Sequence, residues 1–110
     1  MSTPIEQRAV LIQANGEFVV RPATVLASHA DFLRIFNRTP FMAYVLIPPN
    51  GMLGELGDIR PIASGESFQW TLGGGPGAYP YAIEVEQDAV RGFAQRSFAR
   101  GESAPHVIIQ

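Results

Sequence analysis

Short runs of alternating apolar and polar residues, each closed by a turn signal, recur along the chain and favour an all-β fold. The clearest run is SFQWTL (67–72), in which Phe68, Trp70 and Leu72 share one face and polar residues take the other. Because successive side chains of a strand point to opposite faces, this period predicts a strand with one buried face. The glycine-rich GGGPG (73–77) that follows predicts a tight turn.

Similar runs lie on both sides of this one, and Asn15-Gly16 is a dipeptide typical of β-hairpin turns. The predicted strands are 8–13, 17–20, 24–27, 31–37, 42–47, 67–72, 78–85 and 106–110. Many short strands spaced by turns are typical of sandwiches and barrels, and we predict an antiparallel Greek-key β-sandwich. Residues 48–61 are predicted to form a long loop.

One segment, residues 86–103, departs from the strand pattern. Its apolar and small residues recur at helical spacing: Val90, Phe93, Ala94, Ser97 and Phe98. Asp88 suits an N-cap and Gly101 a helix end, so the pattern predicts one short helix or helical turn near residues 88–100. Gly92 opposes a helix by about 1 kcal/mol relative to alanine. The alternative is a hairpin of two strands.

Size, charge and residue types exclude several classes of protein. The 110 residues suffice for one domain, predicted to span residues 1–110. The net charge of −2 lacks the basic field of a typical nucleic-acid binder, and no apolar run is long enough to span a membrane. We therefore predict neither nucleic-acid nor membrane partners. Cysteine is absent, which removes disulfides, thiolate catalysis and thiolate metal ligands.

The N-terminal residues contain no apolar segment of secretory length. We expect a cytoplasmic protein if the chain is complete, and a periplasmic or secreted protein if a leader was removed. The lack of cysteine gives no signal for either compartment.

Four phrases follow one another along most of the chain. They are EFVVRPATVLASHADFLRIFN (17–37), NRTPFMAYVLIP (37–48), SGESFQWTL (64–72) and PGAYPYAI (76–83). In this order they resemble the cupredoxin, or plastocyanin-like, family. Ala30-Asp31 stands where the family has Gly-Asp, and the last phrase resembles the approach to the copper cysteine. The resemblance implies a cupredoxin-like sandwich.

The copper ligands implied by that resemblance are missing. A type 1 copper site uses two histidine nitrogens, one cysteine sulfur and usually a weak axial methionine. The matching positions hold Ala43, Ile83 and Glu86, and no methionine follows Met52. Because Ala43 and Ile83 offer only hydrocarbon, we predict a copper-free module without blue-copper electron transfer and with no cofactor.

An immunoglobulin-like sandwich is the alternative fold. Tyr81 precedes Ile83 by two residues, which is the spacing between that family's corner tyrosine and its second cysteine. Two features oppose this alternative: the cysteine pair is absent, and Trp70 lies close to this strand in the sequence rather than on an early strand.

Two histidines and a carboxylate are candidates for a metal site of another kind. His29 and Asp31 are two residues apart and would share one face of a strand, and His106 would add a second imidazole. The alternative is a turn histidine and a strand-start histidine that never meet. The sequence has no Gly-x-Ser-x-Gly elbow, and its glycine cluster leads into a strand rather than a helix, so we expect no enzymatic activity.

Apolar residues in the 48–58 loop and in PFMAY (40–44) mark a candidate interaction surface, because a cluster of such residues is costly to leave in water. They are Phe41, Met42, Met52, Leu53 and Leu56. The leading hypothesis is a copper-free module that acts in protein interaction or as a structural or binding domain, including self-association. The alternative is a metal-binding protein with a non-blue site of His29, Asp31 and His106.

Overall fold

Alternation of apolar and polar residues produces eleven β-strands in the part of the chain that the structure describes. The computed structural model describes residues 3–90, 93–98 and 105–110, and within 87–90 and 93–98 it describes the backbone alone. The strands are β1 (Glu6–Ala14), β2 (Glu17–Arg21), β3 (Thr24–Ala27), β4 (Phe32–Asn37), β5 (Met42–Ile47), β6 (Asp58–Ile62), β7 (Ser67–Thr71), β8 (Gly77–Pro80), β9 (Ala82–Val90), β10 (Phe93–Phe98) and β11 (His106–Ile109). None of the described segments is a helix long and apolar enough to cross a bilayer.

Three sheets surround one core. The first has the strand order β2-β1-β4-β7, the second β10-β9-β5-β6 and the third β3-β11-β8. β8 and β9 are separated by Tyr81 alone, so the third sheet leads directly into the second. The β1–β4 and β3–β11 pairs are parallel, so the sheets of the predicted antiparallel Greek-key sandwich are partly mixed. The all-β sandwich itself is as predicted.

The core is formed by every second residue along the strands, because these side chains face inward. Leu33 and Ile35 on β4, Val45 on β5, and Ile83 and Val85 on β9 are all fully buried and belong to one hydrophobic cluster. Burying an aliphatic side chain of this size contributes about 1.5–3 kcal/mol. The alternate residues of these strands face outward, which fixes the register of each strand.

The hairpin predicted at Asn15-Gly16 is confirmed. β1 and β2 pair antiparallel on either side of it, and the two turn residues have φ values of 53° and 78°. A two-residue type I′ turn requires positive φ at both positions, which asparagine and glycine tolerate best.

Side chains join the edge strands β6 and β7, which belong to different sheets. The indole Nε1 of Trp70 donates to the Asp58 carboxylate at 2.8 Å. The guanidinium of Arg60 lies over the ring of Phe68, 4.4 Å from the ring centroid. This side of the sandwich is therefore closed by a buried indole and a cation–π contact rather than by backbone pairing.

The helix predicted near residues 88–100 is wrong where the structure describes that segment. β9 continues to Val90 and pairs antiparallel with β10, with Arg96 opposite Glu86. The hairpin alternative is therefore correct for residues 82–90 and 93–98. Backbone pairing within a sheet outweighed a helical spacing that Gly92 had already weakened. The remainder of the predicted helix lies outside the described residues.

The predicted loop 48–61 is too long, because β6 begins at Asp58. The sequence of β6, DIRPI, lacks a typical strand pattern, because Pro61 has no N–H and Ile59 faces solvent. Proline is tolerated in a sheet on an edge strand, and β6 is the edge of the second sheet.

Candidate functional site

Ala43 and Ile83 lie on neighbouring strands, and both face the core. In the antiparallel β5–β9 ladder, Ala43 pairs with Val85 and Val45 pairs with Ile83. Ala43 and Ile83 are thus diagonal neighbours on one face, for which the typical Cα separation is roughly 7–8 Å. All four side chains are buried and aliphatic. The two positions that resemble copper ligands are therefore brought together, within packed hydrocarbon.

The buried side chain of Asn37 holds the turn that leads into β5. Its Nδ2 donates to the carbonyl oxygens of Phe41 and Ile62, each at 2.8 Å. Its Oδ1 accepts from the backbone nitrogen of Thr39 at 3.0 Å and from the Thr39 hydroxyl at 2.7 Å. Because both donors and both lone pairs of the amide are used, the chain is fixed immediately before Ala43.

Glu86 lies on the opposite face of the sheet from Ile83. Both residues belong to β9, and strand residues three apart point to opposite faces. On the outer face, the hydroxyl of Tyr44 donates to the Glu86 carboxylate at 2.9 Å. The three positions implied by the family resemblance therefore do not converge.

This set of side chains does not fit a type 1 copper site. Such a site needs a thiolate and imidazole nitrogens. The alkyl groups of Ala43 and Ile83 have no lone pair to donate, and the sheet separates the Glu86 carboxylate from the interior. The mismatch involves the path of the backbone as well as the residue types.

The two histidines are engaged at separate places. Nδ1 of His29 lies 3.0 Å from the carbonyl oxygen of Gly74, and Nε2 of His106 lies 3.2 Å from the hydroxyl oxygen of Thr24. Among the described residues, no group of three histidine, aspartate or glutamate side chains is placed to hold a metal ion. The alternative site is therefore not assembled in the described part of the chain.

Asp31, the third member of that alternative, fastens the β3–β4 turn to the N-terminal segment. Its carboxylate accepts from the backbone nitrogens of Ser28 at 2.9 Å and Ile5 at 3.1 Å. These backbone donors stabilise the ionised form, so they hold the pKa of Asp31 below its ordinary value.

The residues of the candidate interaction surface differ widely in exposure. Met52 is fully buried, and Phe41 and Leu53 are partly buried against the core. Met42 is 38% exposed at the start of β5, and Leu56 is 77% exposed in the loop before β6. Because β6 begins opposite the end of β5, these two exposed side chains lie towards opposite ends of the second sheet.

A groove of about 880 Å³ opens at the end of β5 that is distant from Ala43. Three prolines line it: Pro48, Pro49 and Pro80. On its outer-face side lie Leu46, Ile59 and Ala82, which are direct neighbours across three strands. Because proline has no N–H to donate to a neighbouring strand, the pairing between β5 and β9 stops at Leu46 and Ala82, and the two segments separate beyond it.

Sequence reasoning missed this groove. The prolines indicate breaks in the strand pattern, but the sequence predicts a loop over residues 48–61, where β6 supplies Asp58 and Ile59. One sequence feature does point to the groove. Leu46 and Ala82 each lie between core-facing residues of a strand, which indicates that both face outward.

Tyr81, in the gap between β8 and β9, also lines the groove. The residue is 4% exposed, and its hydroxyl has no hydrogen-bond partner among the described residues. Burial disfavours the phenolate and raises the pKa of Tyr81 above its ordinary value. An unsatisfied buried hydroxyl of this kind costs about 1–3 kcal/mol.

Comparison with solved structures relates the fold to amicyanin, a cupredoxin. A reduced Cu(I) form of an amicyanin mutant at pH 4 has a TM-score of 0.57 and 14% identity, covering 100% of this chain and 85% of that chain. Amicyanin from Paracoccus versutus (Thiobacillus versutus) has a TM-score of 0.56 and 13% identity, covering 100% and 84%. No protein-family model and no curated protein sequence matches the chain. The cupredoxin-like fold predicted by the resemblance is thus confirmed.

Proposed function

We propose that this chain, with its cupredoxin-like fold, is a copper-free module that binds another protein chain and carries no electrons. The observation that supports it most directly is the buried aliphatic packing of Ala43 and Ile83, where the resemblance places copper ligands. The outward position of Glu86 supports the proposal independently. Even with a metal ligand restored at position 83, the side chain at position 86 would still point away from the interior.

Exposed apolar residues support a role in protein interaction. Leu56 is 77% exposed and Ile59 is 70% exposed; Ile59 lines the apolar groove, and Leu56 directly precedes the lining residue Gly57. Apolar patches of this kind mark surfaces that contact other molecules.

The proposed function includes no catalytic step. The hydroxyls of two serines near the closed side of the sandwich take part in structural hydrogen bonds instead. Ser64 donates to the carbonyl oxygen of Thr39 at 2.6 Å, and Ser67 accepts from Arg34 at 2.9 Å.

Calorimetric titration of the full chain with copper(II) and zinc(II) tests the proposal. We expect no stoichiometric binding. A His29→Ala/His106→Ala double variant, titrated in parallel, separates the alternative. Tight one-to-one binding that the double variant loses would support the non-blue site and overturn the proposal. Tight binding that the double variant keeps would also overturn it, by placing the metal elsewhere.

A further inference from the structure

We infer that the outer face of the first sheet is the contact surface for an acidic segment of a partner protein, one that carries carboxylates and apolar side chains together. The inference rests on the proposed function, since it names the chemistry of the protein partner. This face belongs to the sheet β2-β1-β4-β7, so it is separate from Ala43 and Ile83 on the second sheet and from the proline-lined groove.

Half of the chain's arginines lie on this one face. Alternate residues of β1, β2 and β4 are buried in the core, so the residues between them point outward. Of the eight basic residues, which are all arginine, four take outward positions: Arg8 on β1, Arg21 on β2, Arg34 on β4 and Arg38 directly after β4. The acids that these strands direct to the same face are Glu6 and Glu17. Arginine is therefore in excess on this face, although the whole chain has a net charge of −2.

Strand register gathers three of these arginines around the half-buried ring of Phe36. Val10 pairs with Phe36 on one side and with Arg21 on the other, so all three belong to one row across the sheet. The guanidinium carbons of Arg8 and Arg38 lie 5.8 Å and 5.7 Å from the centroid of the Phe36 ring. These cation–π contacts position the two guanidinium groups without a conventional hydrogen-bond acceptor, so N–H donors remain for a carboxylate.

Arg34, the fourth arginine, is already satisfied within the sheet. Its Nε donates to the Glu6 carboxylate, and its terminal nitrogens donate to the Ser67 hydroxyl at 2.9 Å and to the side-chain oxygen of Gln69 at 2.8 Å. The Glu6 carboxylate also accepts from Nε of Arg8 at 2.9 Å. One carboxylate therefore serves two guanidinium groups, and a net positive charge is left at the centre of the face.

The other three arginines keep donors that a partner can use. The side chain of Arg8 is 66% exposed, and its terminal nitrogens make no hydrogen bond within the described part of the chain. The guanidinium groups of Arg21 and Arg38 form no ion pair with a described residue. Because guanidinium groups bind carboxylates through paired N–H···O bonds, the face offers three positions for the carboxylates of a partner.

Apolar residues beside the arginines favour a protein over a nucleic acid as the partner. Ile12 pairs with Val19, and both are half-buried on this face, as is Val10. A polypeptide supplies apolar side chains to cover these residues as well as carboxylates, whereas a phosphate backbone supplies charge alone. The ring of Phe36 contacts two guanidinium groups instead of being free for a base to stack on. A long polyanion would also meet the acidic remainder of this chain, which a short peptide segment avoids.

Fluorescence anisotropy of a labelled peptide, titrated with the full chain, tests the inference. The probe is a short peptide of alternating glutamate and leucine, and its matched control carries glutamine in place of every glutamate. We expect the glutamate peptide alone to bind, with an affinity that falls as added salt screens the ion pairs. A chain that binds neither peptide at low salt overturns the inference, as does equal binding of the two peptides.

Matched arginine variants locate the contact. Arg38→Gln should weaken binding about threefold and Arg8→Gln/Arg38→Gln about tenfold, as expected for the loss of one and two exposed ion pairs. The control is Arg60→Gln on β6, which removes another arginine that lies over an aromatic ring, that of Phe68, and should leave the affinity unchanged. Equal weakening by Arg60→Gln and Arg38→Gln would overturn the assigned face.

Hydrogen exchange gives an independent readout, and circular dichroism confirms that each variant is folded. Amides of residues 8–12 and 34–38 should exchange more slowly when the glutamate peptide is bound. Protection confined to residues 46–59, around the groove, overturns the inference. Tighter binding of a single-stranded oligonucleotide, or of vesicles that contain phosphatidylserine, also overturns it and assigns the face to that partner.

The two proposals fail separately. Stoichiometric copper binding by a chain that also binds the glutamate peptide would overturn the copper-free function and leave the basic face standing. A chain that binds neither metal nor peptide would remove the role of the basic face and leave the function to a partner that contacts another surface.

Discussion

The hydroxyl of Tyr44 donates to the carboxylate of Glu86 on the outer face of the second sheet, across 2.9 Å. The two residues are diagonal neighbours, because Glu86 pairs with Met42 and Tyr44 pairs with Glu84. Glu86 can make this contact because β9 continues as an extended strand on both sides of residue 86. A ligand placed at that position is therefore directed away from the interior.

The orientation of position 86 can be tested with designed ligands. Ile83→Cys supplies an inward thiol, and adding Glu86→His should leave cobalt(II) affinity unchanged because the imidazole is on the other face. The matched control adds Val85→His, which shares the inner face with position 83 and should tighten binding. Affinities come from cobalt(II) titrations followed by absorbance. A gain of about tenfold or more from Glu86→His would contradict the assigned face.

Two tyrosines that differ in hydrogen bonding provide a matched pair. Tyr81→Phe removes a buried hydroxyl without a described partner and should raise the free energy of unfolding by about 1 kcal/mol. Tyr79→Phe removes a hydroxyl that donates to the Gly75 carbonyl at 2.7 Å and should lower it by about 1 kcal/mol. Urea denaturation measures both. Destabilisation by Tyr81→Phe would mean that its hydroxyl has a partner after all.

Asp31 should make the fold sensitive to acid. Its pKa is lowered in the folded chain, so the carboxylate contributes stability above the unfolded pKa of about 3.9 and loses that contribution as the pH falls through the folded value. The difference in unfolding free energy between wild type and Asp31→Asn should therefore be greatest above about pH 4 and shrink at lower pH. Denaturation series at several pH values measure it. A difference that is constant with pH would show that the carboxylate charge contributes nothing.

Asn37 should be among the polar side chains to which the fold is most sensitive. Asn37→Ala leaves the carbonyl of Ile62 and the amide of Thr39 without their partners in a buried turn and should cost about 3 kcal/mol or more. The matched control is Asn50→Ala. The amide of Asn50 donates to the Pro80 carbonyl at 2.9 Å in an exposed setting and accepts from the backbone nitrogen of Met52 at 3.1 Å, so its loss should cost about 1–2 kcal/mol. Equal losses in thermal denaturation would contradict the fixing role of Asn37.

Local signals accounted for much of the fold. The alternation in SFQWTL specified the strand β7 with Trp70 buried, and Asn15-Gly16 specified the first hairpin. Both depend on contacts within a few residues, which a sequence displays directly. The ordered phrases that resemble cupredoxins supplied the cupredoxin-like fold, which alternation alone does not contain, but not the parallel β1–β4 and β3–β11 pairs.

The errors arose where distant partners decide the structure. β6 carries Pro61 and an exposed Ile59, and only its pairing with β5 makes it a strand. The apolar spacing around Phe93 resembled a helix, whereas pairing with β9 imposes the extended form. Ala43 and Ile83 lie together on one buried face, but spacing along the sequence could not reveal that Glu86 faces outward.

The aliphatic packing around Ile83 also has a consequence for how the protein comes into being. In the copper-free function proposed above, the chain's own carbon atoms fill that position, and this end of the molecule has no metal to acquire after translation. Its maturation should be complete when the polypeptide has folded, whatever the copper supply of its surroundings and without a metallochaperone to serve it.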